Sequence, residues 1–135
     1  MEISEVNYKG ELRTEAIHKR SGQVINTDAP PDNKGKGEAF SPTDLLSTSL
    51  ATCMITLMEI KANENNIILD DINVGVSKVM EANPRRVSEI KLEFDISAPN
   101  LTDGQKNILE EAARNCPVAQ SLSPAINQDI TFNYR

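Results

Sequence analysis

Two cysteines are the residues of this chain with nucleophilic or redox chemistry, and they sit in different settings. Cys53 closes the stretch SPTDLLSTSLATC, and Cys116 stands 63 positions later, directly before Pro117. A thiol acts as a nucleophile only as its thiolate, so its surroundings decide whether it reacts or merely packs. Free cysteine is among the most buried residue types and often serves as a small hydrophobe, and for Cys53 alone the packing role is the more common one. Cys116 changes the weighing. A thiol that ends one helix and starts the next gains from the positive end of the second helix and its unpaired N–H groups. If both thiols close apolar helix faces, they point into one interior. They can then meet at the Cα separation of about 5.5–6 Å that a disulfide needs.

Other chemistries have thinner support. The single His18 lies on an expected strand far from either cysteine and receives no role, although Cys–His pairs are a known nucleophile arrangement. With one His and no CxxC or HxxxH spacing, a zinc site is not expected, and no metal or organic cofactor is implied. Two cysteines so far apart do not read as the disulfide framework of a small secreted domain.

The elements that must position the thiols follow from pattern and punctuation. Ser41, Pro42 and Asp44 form a helix start with a Ser-x-x-acid arrangement. Leu46, Leu50, Cys53, Leu57 and Ile60 then recur at helical spacing, which places Cys53 on an expected buried stripe. Thr102 with Gln105 starts a second helix, with Ile108, Ala112 and Cys116 on its apolar face and Pro117 stopping or kinking it. Before the first helix, Glu5 to Arg20 reads as one strand, a Ser21-Gly22 turn follows, and Gln23 to Ala29 reads as another. The Pro- and Gly-rich APPDNKGKGEAF is a loop. After the first helix, a strand with alternating Ile72, Val74 and Val76 turns at Asn83-Pro84. The next strand puts Ile90, Leu92, Phe94 and Ile96 on one face, a half-buried antiparallel hairpin. A last strand, Asp129 to Arg135, points Ile130, Phe132 and Tyr134 inward. The order is hairpin, helix, hairpin, helix, strand: an α+β class chain, expected as a single domain over 1–135.

Composition bounds the function. With 135 residues, 39% hydrophobic and 25% charged, the chain has the make-up of an ordinary globular domain. A net charge of −6 argues against nucleic acid and anionic membrane as partners. The acidic start MEISEVNYKGELR is no signal peptide, Ser and Thr interrupt the longest apolar stretch, and the expected location is cytoplasmic. The core is aliphatic, without Trp, and such a domain gains from a partner surface.

The helix motif Pro-x-x-Leu-Leu-x-x-x-Leu-x-x-Cys, the Asn83-Pro84-Arg85 hairpin and Cys-Pro-Val after the second helix together resemble the OsmC/Ohr family of thiol-dependent hydroperoxide reductases. The resemblance spans nearly the whole chain and is closest to the OsmC-like branch. It implies an intertwined homodimer with apolar active sites at the dimer interface. It also implies organic hydroperoxide as substrate, Cys53 as the peroxidatic thiol, Cys116 as the resolving thiol and an external dithiol as reductant. The family adds an Arg held by an acid, to favour the thiolate. Arg13 falls nearest the family's Arg, with Arg85 and Arg86 as rival cations. The acid that the Ohr branch carries directly after the Pro is replaced here by Thr43, and Asp44 follows one position later; Asp44 is the shifted acid, a capping residue, or both. Glu38, just before the helix, is a third acid. The alternative function is an OsmC-fold dimer that binds a small apolar ligand or senses oxidants with little turnover. A third is a scaffold with inert thiols.

Overall fold

The computed structural model describes residues 1–135, which form two compact units, residues 1–46 and residues 47–135.

Residues 1–46 carry an antiparallel sheet in the order β1 (Ser4–Gly10), β2 (Arg13–His18) and β3 (Val24–Asp28). The single strand expected over Glu5 to Arg20 is therefore two strands. The reversal is made by Glu11 and Leu12, which both take positive φ, at 54° and 64°. Neither residue type favours that region, so only Gly10 marks the turn in the sequence. The Ser21-Gly22 turn forms where expected and pairs Ile17 with Val24 and Arg13 with Asp28. The loop after β3 folds back on itself through a 3₁₀ turn, Pro31–Asn33. Gly35 there runs against the Ala29 backbone so closely that a Cβ would lie 1.7 Å from the Ala29 carbonyl oxygen, which leaves room for no other residue.

Helix α1 (Pro42–Glu64) begins in this unit and continues into the next. Ser41 and Asp44 close its start reciprocally: Asp44 N–H donates to Ser41 Oγ, and Ser41 N–H donates to Asp44 Oδ2, each at 3.0 Å. This is the box that the Ser-x-x-acid pattern implies.

Residues 47–135 build the main core. Strands β4 (Asp71–Glu81) and β5 (Arg86–Ser97) form the expected antiparallel hairpin, and β6 (Asn127–Tyr134) lies parallel to β5 on its other side. A parallel neighbour requires a crossover, and α2 (Asp103–Arg114) with the short α3 (Pro117–Ser121) supplies it. Ile90, Leu92, Phe94 and Ile96 are fully buried, as their alternation predicts. Phe132 of β6 lies opposite Phe94 in register, with the rings stacked at 4.8 Å. The capping box of Thr102 and Gln105 is complete in both directions.

The helix faces differ from expectation by about one residue. In α1 the buried stripe is Ser47, Leu50, Ala51, Met54, Met58 and Ala62, while Leu46 and Ile60 are exposed and Cys53 is half-buried. In α2 it is Leu109 and Ala113, with Ile108 exposed. The reason is physical: α1 carries apolar residues on more than one face, so two stripes fit its period. The one that wins carries small residues and pliable methionines. Its mean hydropathy of 1.3 over 18 residues, and its length, would suit a membrane crossing. Here Leu50, Met54, Met58 and Ala62 are wholly enclosed in the core of residues 47–135.

Candidate functional site

The break between α2 and α3 is set by Pro117. Proline disfavours helical backbone in the residue before it, and Cys116 accordingly has φ −66° and ψ 154°, an extended conformation. Asn115 ends α2, its N–H donating to the Ala113 and Glu111 carbonyls. Cys116 thus becomes the N-cap of α3. Its Sγ turns inward, has no exposed surface, and accepts the Ala119 N–H at 3.4 Å. The expectation of a thiol at a helix junction is met, although Cys116 lies beyond the end of α2 and not on its face.

Cys53 projects from α1 at the margin of the same core. The two cysteines are both free thiols, one half-buried and one fully buried, and Cys53 packs against the core that holds Cys116, near enough to bear on its titration. Burial pushes the Cys116 thiol above its ordinary range, and the neighbouring Cys53 adds to this; the backbone N–H groups of Ala119 and Val118 oppose it. The balance favours the protonated form of the Cys116 thiol. A half-exposed sulfur beside a buried, protonated one can divide two tasks: meeting a reagent from outside, and closing a bond from inside.

The other residues singled out in the sequence lie as follows. Arg13 is clamped by Asp28: Nε donates to Oδ1 and Nη2 to Oδ2, both at 2.7 Å. Nη2 also reaches Glu38 Oε1 at 3.5 Å, and the Glu38 N–H donates to Asp28 Oδ2 at 3.0 Å. The Arg13 guanidinium holds the Asp28 carboxyl below its usual range, against the opposing effect of burial. Asp44 serves the α1 cap described above, and Glu38, the third acid, belongs to the Arg13 cluster. Arg86 is engaged in its own hairpin turn, donating to Glu81 at 2.8 Å, and Arg85 is exposed in the same turn. His18 Nδ1 pairs with Ser21 Oγ at 2.6 Å in the β2–β3 turn. Asp28 and the Ala119 N–H escaped the sequence reading.

The fold is a parallel-crossover α+β unit with one free thiol inside its core and a second at the core margin. The model of the OsmC-like protein family matches residues 35–131, and this chain belongs to that family. A protein of Psychrobacter arcticus 273-4, described as a candidate osmotic stress induced and detoxification response protein, is 49% identical. The match covers 98% of this chain and 96% of that one with a TM-score of 0.94. An OsmC-like protein of Mycoplasma pneumoniae shares the fold at 20% identity and a TM-score of 0.81, over 97% and 94% of the two chains. An organic hydroperoxide resistance protein of Legionella pneumophila shares it at 15% and 0.73, over 96% of each chain. No curated protein matches the sequence.

Proposed function

We propose that this protein is a thiol-dependent reductant of organic hydroperoxides. The observation that carries the reading is the Cys53–Cys116 pair, near enough for one to bear on the other's titration, with only Cys53 open to solvent. The Cys53 thiolate attacks the terminal oxygen of the hydroperoxide, the O–O bond breaks, and the alkoxide leaves as an alcohol after taking a proton. Cys53 becomes a sulfenic acid. The Cys116 sulfur then attacks the Cys53 sulfur; the departing hydroxyl takes the Cys116 proton and leaves as water. A disulfide remains, and an external dithiol reduces it. Support for an organic substrate comes from the apolar setting of Cys53 among core residues and from the name of the Legionella relative. Support for a stress role comes from the description of the Psychrobacter relative. Arg13 keeps the part that the family resemblance gives it, tested by whether Arg13→Gln slows peroxide consumption.

A second copy of the chain completes the proposal. Val6, Tyr8 and Ile25 share one face of the β1–β3 sheet with Ala16 and are exposed at 60%, 67% and 45%. So open an apolar face asks for a partner surface.

The test is consumption of cumene hydroperoxide by the reduced protein with dithiothreitol present. The wild type should turn over. Cys53→Ser should consume none, and Cys116→Ser should react once and stop at the sulfenic acid. A Cys116→Ser variant that cycles at the wild-type rate would remove Cys116 from the mechanism. A wild type that keeps both thiols after peroxide would remove the activity and favour a ligand-binding or scaffold role.

A further inference from the structure

We propose that the dithiol reductant enters at Cys53, so that the mixed disulfide forms on Cys53 and Cys116 is the sulfur expelled. The inference rests on the proposed function in one respect: it takes a Cys53–Cys116 disulfide as the oxidised state.

Thiol–disulfide exchange is an in-line displacement, and access to the attacked sulfur is one of the factors that set its rate. An attack on Cys116 would have to come from inside the core. Cys116 has no exposed surface, and its neighbours in the chain, Ala113 and Ala119, are core residues as well. Cys53 is half-buried at the core margin, so a sulfur arriving from solvent meets it first. The asymmetry is in the helix geometry. Cys53 is one residue off the buried stripe that carries Met54, whereas Pro117 turns Cys116 fully inward.

The fate of the leaving sulfur follows from the same surroundings. The reductant thiolate bonds to Cys53, the Cys53–Cys116 bond breaks, and its electron pair stays on Cys116. The Ala119 N–H, already 3.4 Å from that sulfur, receives the charge. Burial then favours the neutral thiol, so Cys116 takes up a proton from solvent. A protonated Cys116 closes the ring on the mixed disulfide only slowly, because a departing thiolate, unlike the hydroxyl of the sulfenic acid, does not draw off its proton as it leaves. The mixed disulfide therefore survives until the second thiolate of the reductant attacks the reductant's own first sulfur. The reductant leaves as a cyclic disulfide, and Cys53 is released with the bonding pair. A monothiol lacks that second sulfur, so its adduct on Cys53 should accumulate.

The experiment begins with diamide, which makes the disulfide without peroxide. The oxidised protein is treated with 2-mercaptoethanol, quenched in acid, alkylated with N-ethylmaleimide under denaturing conditions, and mapped by peptide mass spectrometry. The expected result is a mercaptoethanol adduct on Cys53 and a maleimide on Cys116, with the Cys53 adduct favoured by about tenfold or more, given the difference in access. An adduct found equally or mainly on Cys116 overturns the inference. If diamide yields no intrachain disulfide, the pairing fails, and this inference fails with it. If the disulfide forms but peroxide is not consumed, the proposed function fails, and the position of the adduct still decides the entry point.

Discussion

Asp28 is only 1% exposed, yet its carboxylate meets three donors: the Nε and Nη2 of Arg13 and the Glu38 N–H. A buried carboxylate survives only with such partners, and losing one partner costs more than the pair contributes. Its folded pKa is depressed, chiefly by the hydrogen bonds from Arg13. The stabilisation is therefore complete above the unfolded value, about 3.9, and is lost as pH falls from there through the folded pKa. Hydrogen exchange should show this: protection at the Glu38 amide declines below about pH 4. Asp28→Asn lowers it already at neutral pH, because an amide turns donors toward Arg13. Unchanged protection in Asp28→Asn would mean the loop is held by other bonds. Asp28 was within reach of the sequence. Counting back from the Ser21-Gly22 turn sets Arg13 opposite Asp28, but the argument stopped at residues flanking the helix motif. The two cysteines were legible because few residue types do their chemistry. Their nearness was not, since nothing local encodes which segments of a chain face each other.

At the scale of elements, legibility followed the strength of local punctuation. The β4–β5 hairpin has one apolar and one polar side, and Ile90, Leu92, Phe94 and Ile96 of β5 came out buried as expected, while Val76 of β4 is exposed. Both capping boxes are four-residue signals and needed no tertiary context. The β1–β2 turn was lost because Glu11 and Leu12 adopt a conformation their types disfavour. The α1 stripe was misplaced for the opposite reason: too many apolar residues, with nothing in the period to choose among them. An excess of this kind also marks the β1–β3 sheet, where Val6 and Tyr8 stand on an open face. If a second copy covers that face, the wild type sediments as a dimer and the double variant Val6→Lys, Tyr8→Lys sediments at the mass of one chain. A wild type that is monomeric at micromolar concentration would dismiss the dimer.

For the molecule as a whole, fold class and family were within reach of the sequence. The parallel pairing of β6 with β5 was not, because strand order is decided by a crossover of two helices. Cys116 lies in the middle of that crossover, and Cys53 lies before the hairpin, so a bond between them would close a loop of 63 positions. Restricting an unfolded chain over such a span is worth up to about 4 kcal/mol in the loop-entropy account, before any strain in the folded form. The oxidised protein should accordingly need more guanidinium to unfold than the reduced one, measured as the difference in midpoints. Equal midpoints would mean that folded-state strain cancels the gain. A higher oxidised midpoint, together with the proposed oxidation of the pair by peroxide, would tie resistance to denaturation to redox state: the protein would harden while peroxide is in excess and soften again as thiol supply recovers.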